Sequence, residues 1–309
     1  MKKLLFFLAA IALFTISCKK TNTTEYTGPK LIFKFKFDST QERLDNLARP
    51  STIPVGNAAQ SPVFKSMSAH FIQIAEDSLS PLTTNVLYRN AEVTTGGANA
   101  IDFSKSIIKS EGEEFYSVPL KNLSIGTYKW LRISLAYQNY DVKMIYRRND
   151  INGNVPFSFD AEVVSFLGFN TYVKSYTVKG QTVNVNGNLL QGSGAVKAYN
   201  VPFVGTLDAT TWSAPANQRT TVVNPFAAAL GIPPGSCLVT GKFSQSITIT
   251  GTETKDIIVT VSLSTNKSFE WKDKRADGLY EPVDGNNSNA PLDSVVDMGI
   301  RGIKPIVTY

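Results

Sequence analysis

The sequence predicts an all-β fold: antiparallel strands layered as a sandwich or closed as a barrel, elaborated with long loops. Three observations carry this. Apolar and polar residues alternate with period two along the chain, most clearly in KLIFKFKF at 30–37. Turn signals such as TTGGANA (94–100) separate the apolar runs. No stretch of twelve or more residues combines a helical period with capping residues.

Residues 30–37 place Leu31, Phe33, Phe35 and Phe37 on one face of a strand and Lys34 and Lys36 on the other, a half-buried pattern. Residues 38–65 hold Pro50, Pro54, Gly56 and Pro62 and read as a long loop with one helical turn at 41–47. Strands follow at 67–74 and 86–89, with His70 sharing a face with Ser68, Ile72 and Ile74. Residues 114–120 and 127–140 form two strands across a turn at 122–126. The second carries Tyr128 and Trp130 on one face and Leu131, Ile133, Leu135 and Tyr137 on the other. Residues 141–147 continue that strand or pair with it after a bend.

The turn-forming run at 148–155 is where the body, residues 30–309, divides if it holds two domains. Strands are expected at 157–169, 171–178 and 181–186, with turns at Gly180 and at Asn186 and Gly187. Residues 187–235, rich in Gly, Pro, Ala and Asn, read as loops with a few short strands. Residues 236–250 and 255–265 read as a hairpin across 251–254, and 267–271 adds a strand.

Composition narrows the function classes. Apolar residues are 42% of the 309, enough for a sizeable core, and charged residues only 18%. The formal charge of +6 includes Lys2 and Lys3, and no block of Lys and Arg follows residue 20, so no nucleic-acid stripe is present. Of the two cysteines, Cys237 begins an apolar run and reads as a buried structural thiol. With Cys18 used elsewhere, the body is not disulfide-built.

Residues 1–18, MKKLLFFLAAIALFTISC, have the parts of a secretory signal: two lysines, an apolar stretch from Leu4 to Ile16, then Ser17 and Cys18. The stretch is short of the ~20 residues that span a bilayer core. A cysteine after a small residue resembles the lipobox of bacterial lipoproteins. That resemblance implies a signal peptide at 1–17, a lipid on Cys18 and a flexible tether at 18–29. VPLKNLSIGTYKWLRISL (118–135), through Gly126, Thr127, Tyr128 and Arg132, resembles a pattern in Bacteroidota lipoproteins with transthyretin/Ig-like β-sandwich domains. MSAHFIQIAEDSL (67–79) is similar to an earlier segment of the same proteins. The resemblance implies a cell-envelope protein on the outer membrane, with the periplasmic face favoured because Lys19 and Lys20, not acids, follow Cys18. It transfers no catalytic residue.

Candidate chemistry is sparse. Within DKRADGLYEPVDG (273–285), Asp273, Asp277, Gly278 and Asp284 fall at the first, fifth, sixth and twelfth places of a Ca²⁺ loop, with Glu281 between them. Arg275 at the third place opposes an ion. A copper site would draw on His, Met and Cys, but His70 is the single histidine, and Met67, three residues away on a strand, points to the opposite face.

The sequence has no G-x-S-x-G and no H-E-x-x-H. Asp160 and Glu162 share a strand face and are the carboxylate pair a glycosidase reading would use. Tyr137, Tyr140 and Tyr146 are candidate ligand-binding rings if they stand exposed in a row. Asp38–Ser39–Thr40, Asp77–Ser78–Leu79 and Asp293–Ser294–Val295 resemble O-glycosylation triplets of exported Bacteroidota proteins.

The expected function is non-enzymatic, with no catalytic residues and no cofactor: a lipid-anchored binding or assembly module for a ligand, glycan or protein partner. The alternatives are a metal-binding periplasmic protein and a carbohydrate-binding or carbohydrate-active surface lipoprotein.

Overall fold

The computed structural model describes residues 26–45, 47–78, 80–81, 84–148, 155–213, 237–283, 291–298, 300 and 302–309. The expected signal at 1–17, Cys18 and most of the expected tether lie outside them. The strands run β1 (Lys30–Asp38), β2 (Asn57–Gln60), β3 (Val63–Ala75), β4 (Val86–Arg89), β5 (Glu92–Val93) and β6 (Ala100–Asp102). Then come β7 (Glu114–Pro119), β8 (Gly126–Arg148), β9 (Val155–Phe166), β10 (Asn170–Val178), β11 (Gln181–Leu190) and β12 (Gly194–Tyr199). The last are β13 (Thr210–Trp212), β14 (Cys237–Ile249), β15 (Ile257–Ser264), β16 (Phe269–Lys272), β17 (Ser294–Asp297) and β18 (Ile303–Thr308). Two single 3-10 turns complete the set, and there is no α-helix among the described residues. The fold is all-β.

The 23-residue strand β8 organises the molecule. Residues 127–147 therefore form one continuous strand. Along one side β8 pairs with β3, from Trp130 opposite Ala75 to Asp141 opposite Val63. Along the other side β14 covers Gly126 to Leu135 and β9 covers Tyr137 to Arg148. Between these partners Ala136 is skipped in the β3 ladder, and its carbonyl accepts the N–H groups of Leu167 and Gly168. An extra residue in a ladder of period two exchanges the faces. The core-facing set thus changes from Leu131, Ile133 and Leu135 to Tyr140, Val142, Met144 and Tyr146. Phe64 packs against both groups and joins them.

Three apolar cores result. A four-stranded sheet, β18-β15-β1-β7, packs over β3, the first half of β8 and β14. The three-stranded sheet β17-β16-β2 brings Phe269 and Trp271 against the second half of β8 and β9. On the opposite face of β8 and β9, Val173, Tyr176 and Val178 of β10 pack on Tyr137, Val164 and Phe166. Layers on both faces bury the whole run from Leu131 to Tyr137, which the sequence assigned to one inward face only.

Several local expectations need correction. Residues 236–250 and 255–265 do not form a hairpin. β14 pairs with β8, whereas β15 pairs in parallel with β1 and antiparallel with β18. Val239 and Ile247 of β14 and Val259 and Val261 of β15 belong to one core but to different sheets, so the chain at 250–256 passes between sheets. Alternation is identical for strands that share a sheet and strands that face each other. The β1–β15 and β6–β10 pairs are parallel, in an otherwise antiparallel fold.

The dividing point near residue 150 falls between β8 and β9, which pair up to Arg148 opposite Val155. It lies inside one ladder, because turn residues serve hairpins and linkers alike. The helical turn at 41–47 is replaced by a bridge between Leu44 and Pro50, with the Asp45 carboxylate accepting the N–H of Leu47 and Arg49. Asn186 and Gly187 do not end β11. Asn186 has φ 51° and sits at a register shift within it.

Gly241 has a specific role where the edges of two sheets meet. A Cβ there would lie 2.7 Å from the Ile303 carbonyl oxygen and 2.8 Å from Pro305 Cδ. The missing side chain lets β14 approach β18, where Ser244 Oγ accepts the Val307 N–H at 2.9 Å.

Candidate functional site

A pocket of about 430 Å³ lies over the second core. Met144 of β8, Phe159 and Val163 of β9, and Val196 and Ala198 of β12 form one wall. They project together because β8, β9 and β12 are consecutive in one sheet and alternate residues share a face. Phe269 of β16, Tyr280, Pro282 and Met298 form the facing wall. Leu207, Asp208, Thr210, Trp212, Val283 and Val295 complete the lining; of these Leu207, Val283 and Val295 are substantially exposed and mark the mouth.

Each wall is held in place. The Trp212 indole Nε1 donates to the Gly192 carbonyl at 2.7 Å. A Cβ on Gly194 would meet Trp212 Cζ2 at 2.6 Å and the Val164 carbonyl at 2.1 Å, so only glycine lets that ring lie against β12. Tyr280 packs its ring 5.0 Å from Phe269 and 5.3 Å from Trp271, and its carbonyl accepts the Ile145 N–H at 2.8 Å. Burial pushes its phenol well above the usual value.

The acidic residues singled out for Ca²⁺ lie behind this wall. Asp273 accepts the Gly278 N–H at 2.9 Å. Asp277 pairs with Arg147 at 2.7 Å. Glu281, almost fully buried, pairs with Arg147 and lies 2.5 Å from the Arg275 guanidinium. Asp293 accepts the N–H groups of Lys274 and Glu281, both at 2.9 Å. These carboxylates are engaged by arginines and backbone and fasten the 273–283 segment to β8. Among the described residues no three His, Cys, Asp or Glu side chains group to hold a metal ion, and Asp284 lies outside those residues.

The three candidate tyrosines do not stand exposed in a row. Tyr137 is buried against Phe103 and Phe166, with ring centroids 5.3 and 5.7 Å away. Tyr140 is fully buried against Phe64 at 4.9 Å, and its hydroxyl donates to the Met298 carbonyl. Tyr146 stacks on Phe157 and donates to the Pro202 carbonyl at 3.0 Å. A second layer covers each face of β8, so the rings serve packing.

Other singled-out groups are equally engaged. His70 is buried, its Nε2 2.8 Å from Glu92 Oε1, with Phe169 5.2 Å from its ring. Burial depresses its pKa against the opposing pull of Glu92. Cys237 begins β14, is fully buried, and its thiol is pushed up to about 12 by burial. Burial works against ionisation of Asp160 and Glu162. Bonds from Lys143 and Asn200 to Asp160, and from Lys65, Asn139 and the Lys179 N–H to Glu162, outweigh it and hold both pKa values low.

The sequence missed the pocket itself. Its clearest signal was the alternation of Val196 and Ala198 beside Trp212, in a stretch read mainly as loop. The chain matches no protein-family model, no curated protein and no solved structure, so what the pocket can do rests on its own residues. Among the described residues, Phe159, Trp212, Phe269 and Tyr280 give it aromatic walls, Thr210 and Tyr280 hydroxyls, and Asp208 its single charge. That arrangement suits sequestering an apolar molecule.

Proposed function

We propose that the chain is a non-enzymatic binding module of the cell envelope that holds a small apolar ligand in this pocket. The carrying observation is the pocket: about 430 Å³ and lined mainly by apolar side chains, within the ~300–1,000 Å³ of small-molecule sites. We further propose that the body is a transthyretin/Ig-like sandwich, tethered to the outer membrane by a lipid on Cys18. Tyr128, two residues into β8, supports the sandwich reading. Its hydroxyl donates back to the Ser124 carbonyl at 2.9 Å, the geometry of a tyrosine corner in Greek-key sandwiches. The leader and Ser17-Cys18 support the tether.

Two measurements test this. The full-length chain should bind the apolar fluorophore N-phenyl-1-naphthylamine, and Ala198→Trp, which fills the pocket, should weaken binding at least about tenfold, the equivalent of ~1.4 kcal/mol. Val196→Phe serves as a second filling variant. Unchanged binding in well-folded forms of both would refute the pocket reading. Cys18→Ala should move the protein from the membrane to the soluble fraction; retention of that variant after a carbonate wash would refute the tether.

A further inference from the structure

Resting on that reading, we infer that the ligand is an amphiphilic cation: an apolar body in the pocket and an ammonium group at its mouth. Charge and ring chemistry carry this. Among the described lining residues Asp208 is the only charged one, and none is cationic. It sits at the exposed rim beside Leu207, where the polar end of a buried amphiphile must emerge. Thr210 adds a hydroxyl that can accept a hydrogen bond from an N–H. Phe159, Trp212, Phe269 and Tyr280 present aromatic surface, which attracts cations by its quadrupole and offers an anion nothing.

Nearby cations are turned elsewhere. Lys197, between Val196 and Ala198 on β12, reaches Gln181 Oε1 at 2.7 Å on the other face. Arg147 is held by Asp277 and Glu281. A carboxylate- or phosphate-headed lipid would therefore meet Asp208 with no compensating positive group among the described lining residues, whereas an ammonium head gains an ion pair.

Calorimetric titration of the full-length chain with n-octylammonium, n-octanol and n-octanoate separates the possibilities, since the three share one apolar body. Octylammonium should bind about five- to tenfold more tightly than octanol, the range expected for one exposed ion pair assisted by aromatic contact. Octanoate should bind most weakly. Asp208→Asn should bring octylammonium down to within about twofold of octanol, a difference close to the limit of what one solvated pair supplies. Octanoate or octanol binding as tightly as octylammonium would overturn the cation inference while leaving the apolar pocket standing. Failure of all three to bind would overturn both.

Discussion

Arg43→Met should lower the free energy of unfolding by about 1.5–3 kcal/mol, because it removes one charged hydrogen-bond partner of a buried carboxylate. Arg43 and Glu270 are nearly inaccessible, with side-chain exposures of 7% and 3%. The guanidinium bonds Glu270 and the Lys267 carbonyl, and Asn57 Nδ2 donates to the other Glu270 oxygen at 2.6 Å. Three separate segments thus meet at one charge: the stretch after β1, the start of β2, and β16. Glu270 lies between Phe269 and Trp271 on β16, so its side chain points to the face opposite the core those rings fill. The double variant Arg43→Met/Glu270→Leu should recover at least half of the loss, since it removes the buried charge together with its partner. Urea unfolding followed by tryptophan fluorescence measures both. A cost below about 1 kcal/mol for Arg43→Met, the range of solvated pairs, would show the bridge to be exposed in solution.

What the sequence made legible follows from which forces are local. Strand β1 was plain because its partners on one face are all core and its lysines lie opposite, so period two survives intact. β4 and β7 were found within a residue, each bounded by its own turn signals. The long β8 was recognised, but not its bulge. Nothing in LAYQ marks Ala136 as the residue that exchanges faces; the cause is the partner ladder and the N–H groups of Leu167 and Gly168, 31 and 32 residues further along the chain. The false hairpin between β14 and β15 has the same origin: both strands feed one core, and only the global stacking decides that they do so from opposite sheets.

The candidate site was less legible still. Its walls come from β8, β9, β12, β16, β17 and the chain around Tyr280, most of them short elements with small residues such as Ala198. Charges drew attention to Asp273, Asp277 and Glu281, and these proved adjacent to the pocket but engaged in fastening it. Conspicuous aromatics drew attention to Tyr137, Tyr140 and Tyr146, which fill cores. The rings that line the pocket, Phe159, Trp212, Phe269 and Tyr280, share no sequence spacing, because they converge only when two sheets are stacked.

Phe35→Ala tests that stacking directly and should cost about 3–5 kcal/mol, the range for truncating a buried aromatic. Phe35 is 1% exposed, its ring 4.8 Å from Phe115 and 6.5 Å from Phe37. β1 is an interior strand, with Phe35 opposite Val261 of β15 on one side and Phe33 opposite Tyr116 of β7 on the other. Neither neighbour can collapse into the space without distorting a ladder, so the cavity persists and adds to the lost transfer energy. The adjacent Lys36→Ala provides the contrast. Lys36 is 46% exposed and pairs with Asp38 at 2.8 Å. A solvated pair of this kind contributes little, so the change should stay within about 0.5–1 kcal/mol. Denaturant midpoints at constant slope measure both variants. A large difference between two neighbours on one strand is what a sheet with one buried and one wet face demands. Similar costs for the two would mean that β1 is not packed between β15 and β7 over this core.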